Sequence, residues 1–188
     1  MKAFNCYLIG VGGQGIGLLA ETILRAADHA GIPVKSVDTH GLAQRGGTVI
    51  SQIRIGAEVF SPIIPPFESD LILSLELHEA WRALMSVSKP RSTLLCYDAF
   101  WQPLSVRKGV DKAISANDLL EAGEKMGVRV LMVKEEKLKD SRMQNIALLK
   151  VVCKENLIPE VKQEHYLKAM EDLMQGKTLE VNKALFLA

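Results

Sequence analysis

Two glycine-rich elements near the start of the chain hold the residue types best suited to gripping an anion. They are Gly10-Val11-Gly12-Gly13-Gln14-Gly15-Ile16-Gly17 and Asp38-Thr39-His40-Gly41-Leu42-Ala43-Gln44-Arg45-Gly46-Gly47. In the first, glycines let the backbone approach a ligand, and a following helix would aim its unpaired N–H groups at it. Gly10-x-Gly12-x-x-Gly15 has the spacing of a dinucleotide-binding turn, and Asp38 falls where a ribose-binding acid would stand. The stretch is richer in glycine than that fingerprint requires, and Gln14 adds a side chain that both donates and accepts. A plainer reading has the glycines serve only close packing of strand on helix. In the second element, Arg45 stands between Gln44 and Gly46-Gly47. Its guanidinium either meets a phosphate or carboxylate, or pairs with Asp38 or a loop carbonyl. No GxxxxGK[ST] sequence is present, which disfavours a Walker-type hydrolase.

Three acids, Asp38, Glu76 and Asp98, fall at the carboxyl ends of predicted strands, the side on which open parallel sheets bind ligands. They hold hydroxyls, orient Arg45, or stand solvated; unpaired, they would repel a polyanion. His40 and His78 have no metal-like spacing and no Ser/His/Asp or Cys/His set can be assembled, so no residue is assigned a catalytic or metal-binding role. Cys6, Cys96 and Cys153 lie far apart without a CxxC pair. They are expected to be buried thiols rather than ligands of a cluster or zinc. Trp81 and Trp101 read as packing anchors.

The elements that must position these residues follow from apolar periodicity. Strand-like runs span 4–9, 34–37, 49–55, 71–75, 93–97 and 129–133, several of them apolar throughout, as in strands covered on both faces. Ile16, Leu19, Ala20, Ile23 and Ala27 form a helical stripe ended by Gly31. A second helix covers 77–87, and a third starts at Ser115 or Asn117, with Asp118 completing a cap, and ends at Gly127. Beyond Leu138 only helical patterns occur. Pro159 fits the first turn of a helix carrying Tyr166, Leu167, Met170, Leu173 and Met174, with Gly176 as its stop and another short helix over 179–187. Pro62-Ile63-Ile64-Pro65-Pro66 reads as a stiff apolar connection, suited to an interface or to packing over the sheet. The whole reads as α/β, a Rossmann-like, mostly parallel sheet with helices on both faces and a helical C-terminal tail.

At 188 residues the chain suffices for one domain, 1–188, with the tail from about 138 to 188. A net charge of +1 argues for neither nucleic acid nor an anionic membrane as partner, and 24% charged residues is ordinary for a soluble protein. The N-terminal apolar run is broken by Gly10, Gly12 and Gly13, so neither a signal peptide nor a membrane span is expected. A cytoplasmic location is the expectation.

The two loops carry a resemblance. GVGGQGIG after the first strand, then HGLAQRGG and a strand ending Ile53-Arg54-Ile55-Gly56, resembles the gamma-type subunits of 2-oxoacid:ferredoxin oxidoreductases, most of all the beta-subunit group of the indolepyruvate enzymes. The Glu76…Glu79-Ala80 segment and Asn182-Lys183-Ala184-Leu185-Phe186 share the likeness, which is specific over 8–56 and loose over 96–140. The resemblance implies a subunit supporting oxidative decarboxylation of a pyruvate- or indolepyruvate-type 2-oxoacid to an acyl-CoA, with electrons passed to ferredoxin. It implies that this chain binds no cofactor tightly and is inactive alone, and that a larger partner holds thiamine diphosphate and iron–sulfur clusters. Ferredoxin is then an indirect partner, and the isolated chain is open to homodimerisation. It also implies anion or coenzyme A contact at Gly10, Gly12, Gly13, Gln14, Gly15, Gln44, Arg45, Gly46 and Gly47. Two other readings stand beside it: a self-sufficient NAD-type oxidoreductase using Asp38, and a non-catalytic scaffold.

Overall fold

A computed structural model describes residues 3–40, 46–101, 103–135, 138 and 140–188. Six strands form one sheet: β1 (Phe4–Val11), β2 (Val34–His40), β3 (Thr48–Ile55), β4 (Ser69–Ser74), β5 (Ser88–Tyr97) and β6 (Arg129–Val133), in the order β2-β3-β1-β4-β5-β6. All six predicted strands are present. β1, β4, β5 and β6 pair in parallel, whereas β3 runs antiparallel to both β1 and β2. β3 is the one antiparallel strand in a sheet expected to be mostly parallel, for a reason of length. Residues 41–47 alone join β2 to β3, and a parallel crossover needs a dozen residues or more.

Among the described residues there are seven α-helices: α1 (Ile16–His29), α2 (Leu77–Ser86), α3 (Leu104–Arg107), α4 (Ala116–Met126), α5 (Gln144–Lys154), α6 (Gln163–Leu173) and α7 (Gly176–Leu187). The alternation of side chains along each strand sends Cys6, Leu8, Leu71, Leu73 and Leu95 to one face, where α1, α5, α6 and α7 cover them. Tyr7, Ile9, Ile72, Leu94 and Cys96 face α2 and α4 on the other side. Each fully buried leucine or isoleucine in these layers contributes on the order of 1.5–3 kcal/mol. No helix among the described residues is long and apolar enough to cross a membrane.

Local chemistry sets the boundaries. Ser115 and Asp118 form a reciprocal capping box at the start of α4, and Gly127, at φ 68°, ends it. β5 begins earlier than its apolar run. A register shift takes up Lys89–Ser92, so Pro90 needs no ladder donor. The tail departs from its prediction at two points. Pro159 lies in a turn ahead of α6, and Gly176 opens α7 rather than stopping α6, which Met174 terminates in extended conformation. The proline-rich segment packs on the sheet at one residue and is open at others. Ile64 is buried against the sheet, with its N–H bonded to Gln52 Oε1 at 2.7 Å, while Phe60 and Ile63 are exposed.

Candidate functional site

From β1 the chain turns into α1 on one face of the sheet; from the neighbouring β4 it turns into α2 on the other. The carboxyl ends of β1 and β4 therefore flank the topological switch point, where open α/β sheets bind ligands. A cleft of about 300 Å³ opens there. Its walls are Val11, Gly12, Gly13 and Gln14 at the glycine turn, Ala99, Phe100 and Trp101 after β5, Arg142 ahead of α5 and Gln144 at its start.

The glycines divide by role. At Gly10 a Cβ would lie 2.9 Å from the Ile16 side chain and 3.0 Å from Gln14 Oε1, so this position serves close packing. Gly15, at φ 87°, caps α1 and abuts Asn145, whose Nδ2 would meet a Cβ at 2.8 Å. Asn145 Nδ2 also donates to the Gly15 carbonyl at 3.3 Å. Gly13, at φ 102°, has open space on its Cβ side and faces the cleft. Gly12 donates to the Gly47 carbonyl at 2.8 Å, which ties the first glycine element to the end of the second. Gly46 is exposed at φ 78°. Gln44 and Arg45 lie outside the described residues. No side chain caps the first turn of α1, whose leading N–H groups lack intrahelical acceptors and so favour an anion.

Gln14 is used structurally. Its Oε1 accepts the Val11 N–H at 2.8 Å, and its Nε2 donates to the Leu75 carbonyl at 2.9 Å. At the cleft mouth Arg142 donates from Nε and a terminal nitrogen to Asp140, at 3.0 and 2.6 Å. That pairing lowers the Asp140 carboxyl to about 2.

The three strand-end acids have different fates. Asp98 pairs with Lys134 at 3.2 Å and Asp38 is exposed on β2. Glu76 departs from the solvated reading. It is 1% exposed, and its carboxylate accepts N–H groups of Glu79, His78 and Trp101 at 2.9–3.0 Å. His78 lies in α2, within the helix expected over 77–87, and is buried. Trp101 is no packing anchor: it is 59% exposed on the rim of the cleft, beside half-exposed Phe100. The signal available for that rim was an aromatic pair directly after an apolar strand.

Asp38 cannot serve the glycine turn as a ribose acid. β3 separates β2 from β1, placing them about 10 Å apart. In register, Asp38 sits opposite Ser51, which sits opposite Leu8, about 13 Å below Gly12 along the strand. Cys6 and Cys96 lie on opposite faces of the sheet, and burial pushes both thiols up; Cys153 is on α5. These three thiols do not converge, so they do not fit the ligand set of an iron–sulfur cluster.

The sequence model of the pyruvate ferredoxin/flavodoxin oxidoreductase family matches residues 5–188. Indolepyruvate oxidoreductase subunit IorB of Archaeoglobus fulgidus is 32% identical over 186 residues, covering 96% of this chain and 91% of that protein. Among solved structures, pyruvate oxidoreductase subunit PORC of Thermotoga maritima superposes with a TM-score of 0.68 at 18% identity, covering 99% of this chain and 94% of that one. A 2-oxoglutarate:ferredoxin oxidoreductase of Magnetococcus marinus, solved with 2-oxoglutarate, coenzyme A and succinyl-CoA bound, gives a TM-score of 0.71 at 17% identity. The match covers 99% of this chain and 30% of that much longer one, which marks this fold as one module of it. With the family's pattern running from β1 to the end of α7 and a relative matched over nearly its full length, the chain belongs to the pyruvate ferredoxin/flavodoxin oxidoreductase family.

Proposed function

We propose that this chain is the small subunit of a 2-oxoacid:ferredoxin oxidoreductase of pyruvate or indolepyruvate type. The observation that carries the reading is the end-to-end match to IorB. The complex decarboxylates a 2-oxoacid oxidatively, transfers the acyl group to coenzyme A and passes electrons to ferredoxin. A larger partner supplies thiamine diphosphate and the iron–sulfur clusters, in keeping with the scattered cysteines here. The isolated chain is inactive, forms one domain over 1–188, and works in the cytoplasm.

The cleft at the switch point supports a role on the coenzyme A side. Gly13 leaves backbone open to an anionic group, the uncapped N-terminus of α1 follows directly, and Gly15 permits the turn between them, while Gly12 spends its N–H on the Gly47 carbonyl. Gly10 and Gln14 shape the loop, while Gln44, Arg45, Gly46 and Gly47 form the second element joined to it through Gly47. The chain's contribution is to bind and orient. Coenzyme A should raise the melting temperature of the purified complex and NADH should not, since tight ligands stabilise by mass action. Saturable NADH binding by the isolated chain would replace this reading with the NAD-type one.

A further inference from the structure

We propose that Glu76 is a positioning residue whose buried carboxylate fixes the Phe100–Trp101 rim against the glycine turn and thereby sets how tightly the cleft holds its ligand. The inference rests on the cleft being the coenzyme A side of the complex. Glu76 Oε2 accepts the Glu79 N–H at 2.9 Å and so caps α2. A capping role alone needs no buried charge, since a short surface Ser or Asp does it well. The other oxygen does something a cap does not. Glu76 Oε1 accepts the Trp101 N–H at 3.0 Å and His78 Nδ1 at 3.0 Å. His78 Nε2 accepts the Ile114 N–H at 3.2 Å, which assigns the ring proton to Nδ1 and makes His78 a donor to Glu76. The same imidazole lies against Phe100, ring centroids 5.2 Å apart.

Burying a carboxylate is costly unless donors replace its water, and here three donors do so. Two of those donors, Glu79 and His78, belong to α2 and one, Trp101, to the rim: the carboxylate holds Trp101 by its backbone, and the His78 it fixes lies against Phe100. The adjoining residues complete the arrangement. Leu77 N–H donates to the Ala99 carbonyl at 3.1 Å, while the Leu75 carbonyl receives Gln14 from the opposite wall. The turn from Leu75 to His78 thus grips both sides of the cleft. Its only long polar side chain reaching the rim backbone, among the described residues, is Glu76.

Glu76→Asp separates the two duties. Aspartate caps a helix well and keeps the charge, but it is one methylene too short to reach Trp101 while capping. In the full chain carrying Trp81→Phe, Trp101 is the sole indole. Glu76→Asp should lower its fluorescence anisotropy and raise its quenching by acrylamide; Glu76→Gln, which must turn an NH₂ toward one of the three donors, should do the same. Unchanged anisotropy in both variants would overturn the inference. In the assembled complex, Glu76→Asp and Trp101→Ala should each raise KM for coenzyme A about tenfold, as expected for loss of one charge-assisted hydrogen bond, with kcat nearly unchanged. The double variant should be no worse than the worse single one. Additive effects would overturn the inference. A loosened Trp101 with KM unmoved in every variant would instead overturn the coenzyme A reading of the cleft.

Discussion

The Gln14 side chain bridges to the Leu75 carbonyl at 2.9 Å and thereby joins the ends of β1 and β4 at the point where the chain divides between the two faces of the sheet. Its oxygen simultaneously accepts the Val11 N–H at 2.8 Å. A glutamine that reads in the sequence as a spare donor and acceptor for a ligand is thus occupied by backbone on both sides.

Gln14→Ala should therefore destabilise the chain by about 1–3 kcal/mol, the range for one or two partly buried hydrogen bonds lost with a partner left unpaired. Gln14→Glu should be worse near neutral pH, because a carboxylate oxygen would then face the Leu75 carbonyl. Urea unfolding of the three proteins checks both; a loss well under 0.5 kcal/mol for Gln14→Ala would mean water replaces the bridge.

Gly10 and Gly13 should answer differently to the same substitution. Gly10→Ala drives a methyl into Ile16 and Gln14 and should lower stability. Gly13→Ala meets no neighbour but must hold φ 102°, a strain of about 1–2 kcal/mol. Because Gly13 lines the cleft, its variant should lose coenzyme A use out of proportion to its lost stability. Equal losses of coenzyme A affinity at the two positions would remove Gly13 from ligand contact.

Glu79 supplies a pH test. It is 5% exposed, its Oε2 has no partner among the described residues, and Arg82 approaches only to 3.4 Å. Burial raises its carboxyl above the usual range; Arg82, a Thr48 hydrogen bond and His78 oppose this, and Glu76 adds to it. A raised folded value means the native state prefers the protonated form, so the stabilisation is full below the ordinary carboxylate value of about 4.3 and fades as pH rises through the folded value. Glu79→Gln should accordingly gain melting temperature relative to the parent at pH 7.5 and lose that gain as pH falls toward 4.5. A pH-independent difference would show that Glu79 does not titrate in this window.

Arg45 is tested by function. Arg45→Ala in the complex should raise KM for coenzyme A about tenfold or more, the usual cost of a lost charge-assisted pair, or weaken subunit assembly. Unchanged assembly with unchanged coenzyme A kinetics would remove it from the site.

Much of the fold was legible because apolar runs report burial directly. All six strands and the caps at Ser115 and Gly127 follow from local pattern. The reversal of β3 was readable too, from the shortness of 41–47. Glu76 was not legible. A strand-end acid looks the same in sequence whether water or three N–H groups surround it, and one of its donors, Trp101, arrives from 25 residues away. Trp101 misled for a related reason, since large aromatics are usually buried and only the neighbouring rim places this one in the open. Gly176 followed a helix as a stop should, yet the chain had already turned at Met174.

The most direct test of the central claim is purification of the tagged chain from its native cells, gently and without oxygen, with iron, thiamine diphosphate and co-eluting proteins quantified. The account predicts a larger protein arriving in fixed ratio together with iron and thiamine diphosphate. A chain that elutes alone, from cells in which the complex is expressed, would contradict it.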